Sequence, residues 1–170
     1  DAKQNSYLKI TSPQGITNTA GNVGNVRTDT APLYNNNATY HYIGKANQVT
    51  GSGLPAAATA KKVIVELDTD LLELSASATT SFNASGTLEI RRGTVLDNGS
   101  DFFDGVGNLT MTGGLYKFND FVTTAGTTFY PRLSGNYNVT GGTIELAAIT
   151  NTSAKFQILR GSKTYHNLKI

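Results

Sequence analysis

Chemistry in this chain has few places to start from. Two histidines, His41 and His166, each stand near a tyrosine in an alternating segment. Neither has the His-x-His or His-x-x-x-His spacing that puts two imidazoles on one metal, and no nucleophile elbow is present. Both histidines therefore read as strand surface. The densest oxygen cluster is Asp97-Asn98-Gly99-Ser100-Asp101, with Asp104 just beyond. A hard cation such as calcium takes several carboxylate and carbonyl oxygens from a flexible turn, which makes Asp97, Asp101 and Asp104 the calcium candidate. The run has no closing glutamate, no flanking helices and no nonapeptide repeat. Turn chemistry accounts for Asp-Asn-Gly-Ser equally well. No other cofactor is predicted.

Glycoside cleavage would need two carboxylates facing one bond. The 12 acidic residues are scattered, and Glu66, Glu73, Glu89 and Glu145 alternate with apolar neighbours, which predicts outward positions on strands. Phe102, Phe103, Tyr116, Phe118, Phe121, Phe129 and Tyr130 can supply a sugar-stacking platform. With no tryptophan and little other bulk, several of them must fill the interior instead. The chain reads as non-enzymatic, and a carbohydrate-binding or carbohydrate-cleaving domain is the alternative.

The elements that hold these residues follow from a repeat. Leu88 to Val95, Leu109 to Tyr116 and Tyr137 to Ile144 align residue for residue, each running apolar, polar, apolar, two spacers, glycine, any residue, apolar. The alternation gives each strand two faces. The shared glycines, Gly93, Gly114 and Gly142, permit a bend that a side chain would obstruct. Strands that return in this way predict coils of a parallel β-helix, an all-β solenoid; a β-sandwich with Gly-Gly hairpins is the alternative. Further strands are predicted at Tyr7 to Ile10, Ala38 to Gly44, Lys62 to Leu67, Leu71 to Leu74, Ser81 to Asn83 and Phe129 to Leu133. A corner is predicted at Gln48 to Pro55, with Leu54 as its plug. Ala154 to Gly161 echoes Ala38 to Gly44, and Asn167 to Ile170 echoes the opening strand.

Composition bounds the rest. With 170 residues the chain is expected to form one domain. Only 38% of residues are apolar and 15% charged, while 18 are glycine, which suits a shallow, turn-rich fold with a Thr/Asn/Ser surface. A net charge of +2 and isolated basic pairs, Arg91-Arg92 and Lys61-Lys62, predict no nucleic-acid partner and place those pairs at solvated strand edges. No cysteine is available for disulfides or thiolate metal sites, and no run is long enough for membrane insertion as a helix.

The order Leu8-x-Ile10-x-Ser12-Pro13-x-Gly15-Ile16, Ala38-x-Tyr40-x-Tyr42-x-Gly44 and Gln48-Val49-Thr50-Gly51-x-Gly53-Leu54-Pro55 resembles repeat units of large secreted surface proteins of Bacteroidetes-type bacteria. Gly86-Thr87-Leu88, Gly142-Thr143-Ile144 and Thr164 to Ile170 continue the resemblance over most of the chain. It implies an adhesin-like or stalk-like protein, exported through type IX secretion and located outside the cell, with no catalytic residues to carry over. Residues 1–170 are accordingly expected to be one solenoid repeat unit, a piece of a longer tandem array. Its expected partners are neighbouring repeats or identical protomers stacked end to end, with surface glycans as a further candidate.

Overall fold

The computed structural model describes residues 6–21, 24–55, 62–73, 79–99, 102–120, 128–147 and 157–170. Twelve strands run through them: β1 (Tyr7–Ile10), β2 (Thr39–Gly44), β3 (Gln48–Val49), β4 (Lys62–Glu73), β5 (Thr79–Phe82), β6 (Thr87–Asp97), β7 (Phe102–Gly105), β8 (Asn108–Phe118), β9 (Phe129–Tyr130), β10 (Tyr137–Leu146), β11 (Ile158–Leu159) and β12 (Asn167–Lys169). The main sheet has the order β1-β2-β4-β6-β8-β10-β12, with β3 also on β4. Two small sheets pair β5 with β7 and β9 with β11. Every one of these pairings is parallel. Parallel strands need a long crossover between them, and the described parts of the crossovers contain no helix. The chain is a β-solenoid, and the antiparallel pairing that a sandwich requires is absent among the strands described.

The register confirms the sequence alignment. Leu88 pairs with Leu109 and Leu109 with Tyr137; further on, Val95 pairs with Tyr116 and Tyr116 with Ile144. Between these two inward positions the backbone turns at Gly93, Gly114 and Gly142, with φ of 79°, 72° and 79°. The turn divides each long strand into a first and a second arm. A side chain is excluded there twice over: the conformation is left-handed, and a Cβ on Gly142 would lie 2.4 Å from the Gly113 carbonyl oxygen.

Each inward position becomes a ladder up the solenoid. One runs Ile10, Tyr42, Val65, Ile90, Met111, Val139. Another runs Leu8, Tyr40, Val63, Leu88, Leu109, Tyr137. Phe82, Phe103, Tyr130 and Leu133 meet them from the far side, in one continuous core. Full burial of a Leu, Ile or Phe side chain contributes about 1.5–3 kcal/mol, so stability rests on stacking of like on like between neighbouring coils. Leu54 is buried as the plug of the Gln48–Pro55 corner.

Several expectations are revised. Lys62–Leu67 and Leu71–Glu73 are one strand, β4, running unbroken through Asp68-Thr69-Asp70. Arg91 and Arg92 lie on β6, a central strand flanked by β4 and β8, not at an edge; Lys61 is outside the described residues. β9 stops at Tyr130, before a cis bond to Pro131. Ile158 and Leu159 belong to the small sheet with β9, so the echo of Ala38–Gly44 does not share that strand's place. The first and last strands also differ. β1 continues the first-arm ladders through Tyr40, whereas Leu168 of β12 pairs with Ile144 in the second arm.

Candidate functional site

The outward side of the first arms carries an ionic network that the linear sequence does not show. His41, Ile64 and Glu89 stand side by side in register on β2, β4 and β6. Ile64 is buried although it points away from the core, because long charged side chains roof it. Lys62 Nζ pairs with Glu89 Oε2. Arg91 bridges the two acids, from Nε to Glu89 Oε1 and from Nη1 to Glu66 Oε2 at 3.0 Å. Arg92 adds Asp68 at 2.9 Å and Glu66 at 3.4 Å.

His41 closes this network and is only 3% exposed, so it is buried rather than on the surface. Tyr7 Oη meets its Nδ1; with the phenol as donor, the neutral ring carries its proton on Nε2. That nitrogen lies 3.1 Å from Glu66 Oε2 but is too poorly aligned for a hydrogen bond, which makes the contact electrostatic. Burial holds the imidazole below its ordinary pKa against the opposing pull of Glu66. Glu66 is held below the usual carboxylate range, chiefly by the Arg91 hydrogen bond. Burial pushes Glu89 up, yet the Lys62 and Arg91 hydrogen bonds outweigh it and leave that carboxyl lowered too. Two ionised, fully engaged carboxylates brace a sheet. A glycosidase pair instead keeps one carboxyl protonated near neutral pH. His166 sits exposed in a bend before β12.

Of the calcium candidate, the structure describes Asp97 and Asp104. Asp97 points inward and is fully buried at the end of β6. Its Oδ1 accepts from the Gly99 amide at 3.1 Å, and its Oδ2 lies 3.4 Å from Arg132 Nε. Arg132 also pairs with Asp120, which accepts from Tyr130 Oη at 2.8 Å. Burial pushes the Asp97 carboxyl up to about 6, with Arg132 opposing. Asp104 on β7 points the other way and accepts from Ser81 Oγ. Asp101 lies outside the described residues. Among the described residues no group of three or more His, Asp or Glu side chains is placed to hold a metal.

Of the aromatic platform, Phe103, Tyr116, Phe118 and Tyr130 are core, and Phe121 is outside the described residues. Phe102 and Phe129 instead line an open cleft of about 400 Å³ with Asp104, Ser134, Arg132 and Arg160. The Arg132 guanidinium carbon stands 4.0 Å from the Phe102 ring centre, and that of Arg160 stands 5.3 Å from the centre of Phe129. No such grouping was legible in sequence, because its members come from three successive coils.

Fold and surface together define a β-solenoid whose polar face is braced by ion pairs. No protein-family profile, curated protein or solved structure matches the chain.

Proposed function

We propose that this chain is a structural, non-enzymatic module of an extracellular bacterial surface protein, lengthening a stalk or adhesin by stacking end to end with like units. The observation that carries this reading is where large apolar side chains stay exposed. Four of the six on the described residues lie on or beside the terminal strands: Tyr7 and Leu33 at one end, Leu168 and Ile170 at the other, with Ile170 at 90%. At the first end Leu8, Val26, Pro32, Leu33 and Tyr34 line an apolar cleft of about 450 Å³ beside β1. A solenoid end of this kind presents both hydrophobic surface and strand edge to a partner.

Part of the first edge is already covered. Asn25 donates from Nδ2 to the Lys9 carbonyl at 3.0 Å and accepts from the Thr11 amide at 2.7 Å. One side chain thus satisfies two backbone groups of the outermost coil, so side-chain packing rather than a full strand ladder would join the units at this end. The rival reading is a carbohydrate-binding or carbohydrate-cleaving domain, and the Glu66–Glu89 pair, both carboxyls lowered, does not supply the protonated acid that cleavage needs. The resemblance of the sequence to secreted repeats supports the outside of the cell as the location.

Sedimentation velocity on residues 1–170 tests the stacking. A sedimentation coefficient that rises with concentration, and no longer does so in the Leu33→Asp, Ile170→Asp double variant, is the expected result. A monomer at millimolar concentration would refute it. Protease shaving of intact source cells, with release of fragments of this protein expected, tests the location separately.

A further inference from the structure

Among the described residues, the two exposed large apolar residues that end stacking does not use are Val106, 55% exposed, and Phe129, 39% exposed, and both line the cleft on the far side of the coils. We infer that this cleft is a binding site for an acidic sugar, a pyranose ring bearing a carboxylate or sulfate. The inference stands apart from the end-stacking reading.

Three features of the cleft carry it. Phe129 is part-exposed in the cleft, while Arg132 covers a face of the Phe102 ring beside it, so Phe129 is the ring left to take the apolar C–H face of a pyranose. Arg132 is spoken for by Asp97 and Asp120, but Arg160 is differently placed. Its Nε donates to the Pro131 carbonyl at 3.3 Å and its plane lies near Phe129, while no ion pair joins it to a carboxylate among the described residues. A guanidinium oriented by a ring and a backbone carbonyl is prepared for a forked contact with a planar anion. Finally, Ser134 Oγ donates to the Gly105 carbonyl at 3.1 Å, and Asp104 accepts from Ser81. Both keep lone pairs for sugar hydroxyl donors. Ring face, anion fork and hydroxyl acceptors thus converge on one cleft of about 400 Å³, within the range of small-ligand sites.

Isothermal titration calorimetry at low ionic strength tests the site with trigalacturonate, a heparin-derived hexasaccharide and cellotriose. Binding of either acidic oligosaccharide, with none to cellotriose, is expected; which of the two binds decides between carboxylate and sulfate. Arg160→Ala should weaken binding at least about tenfold, and Phe129→Ala should weaken it severalfold. Melting curves establish that each variant is folded, and if Arg160→Ala is not, Phe129→Ala carries the comparison. Ile170→Asp, which alters an end and not the cleft, should bind as the parent chain does. The inference is overturned if neither acidic sugar binds, if cellotriose binds as well as they do, or if the folded cleft variants keep the parent affinity.

Discussion

Asp97 stands on an inward row where the next two coils carry Phe118 and Leu146. A carboxylate in an apolar ladder is costly unless paired, and Arg132, reaching in beside Phe102, is the pair. Burial still dominates and lifts the folded pKa from 3.8 to about 6. Between those two pH values the folded state holds a proton that the unfolded chain has released. Stability from this group is complete below pH 3.8 and falls as pH rises towards 6, by up to about 3 kcal/mol. The melting temperature of the parent chain relative to Asp97→Asn should drop across that window; a flat difference would contradict it. His41 slopes the opposite way. Its folded pKa lies below 6.5, so stability is lost as pH falls below 6.5, and the parent chain should lose ground to His41→Gln on acidification. Sequence reasoning singled out both residues but did not show the partners the fold gives them. It read Asp97 as part of a calcium candidate because Asp-Asn-Gly-Ser is a local pattern, and it could not show Arg132, an ion-pair partner 35 residues on. It placed His41 at the surface because outward on a strand ordinarily means wet. Here Tyr7 and the Glu66–Arg91 network roof the sheet, and such roofing depends on coil register rather than on alternation.

The arms and corners show the converse, an element that was legible. Gly93, Gly114 and Gly142 repeat at one place in the pattern because the same left-handed corner recurs in three coils. Gly142→Ala should cost about 1–3 kcal/mol from backbone strain alone, and more from contact with the Gly113 and Gly114 carbonyls. Gly161→Ala, where a Cβ would meet nothing within 4 Å, should stay within about 0.5 kcal/mol. Urea denaturation of the two variants checks the contrast, and equal losses would rule out the corner argument. On the arms, Leu109→Ala removes a rung from a fully buried ladder and should cost about 2–5 kcal/mol. The β4 coil escaped the alignment for a physical reason. Val63 and Leu72 occupy the rungs of Leu88 and Val95, but nine positions apart instead of seven. The longer corner, Glu66 to Leu71, needs no glycine, and so the marker that identified the other coils is missing. The echo between the two chain ends misled for a related reason. Leu-Lys-Ile is generic strand grammar, and nothing in it distinguishes a first arm from a second.

At the scale of the whole molecule, a solenoid is nearly one-dimensional, and its stability is approximately a sum of coil terms and interfaces between neighbours. The central coils here have neighbours on both sides. The outermost strands β1 and β12 have one each, and β12 is exposed along its three residues. Melting should therefore begin at the ends, with β12 and the segment holding Tyr165 against Tyr137 opening before the Leu88–Leu109 region. If like units stack, joining two copies of residues 1–170 in one chain converts one exposed end of each into an interface. In this reading Leu168 and Ile170 of the first copy and Leu33 of the second come to lie at the new interface. The tandem should then melt several degrees above the single unit at equal mass concentration, and hydrogen exchange of Asn167–Lys169 should slow in the first copy only. Introducing Leu33→Asp into the second copy should return both readouts to the single-unit values, since it removes the apolar wall without touching either core. A tandem that melts with the single unit, and exchanges β12 equally fast in both copies, would mean that each unit is closed to its neighbour and that its exposed ends serve some other contact.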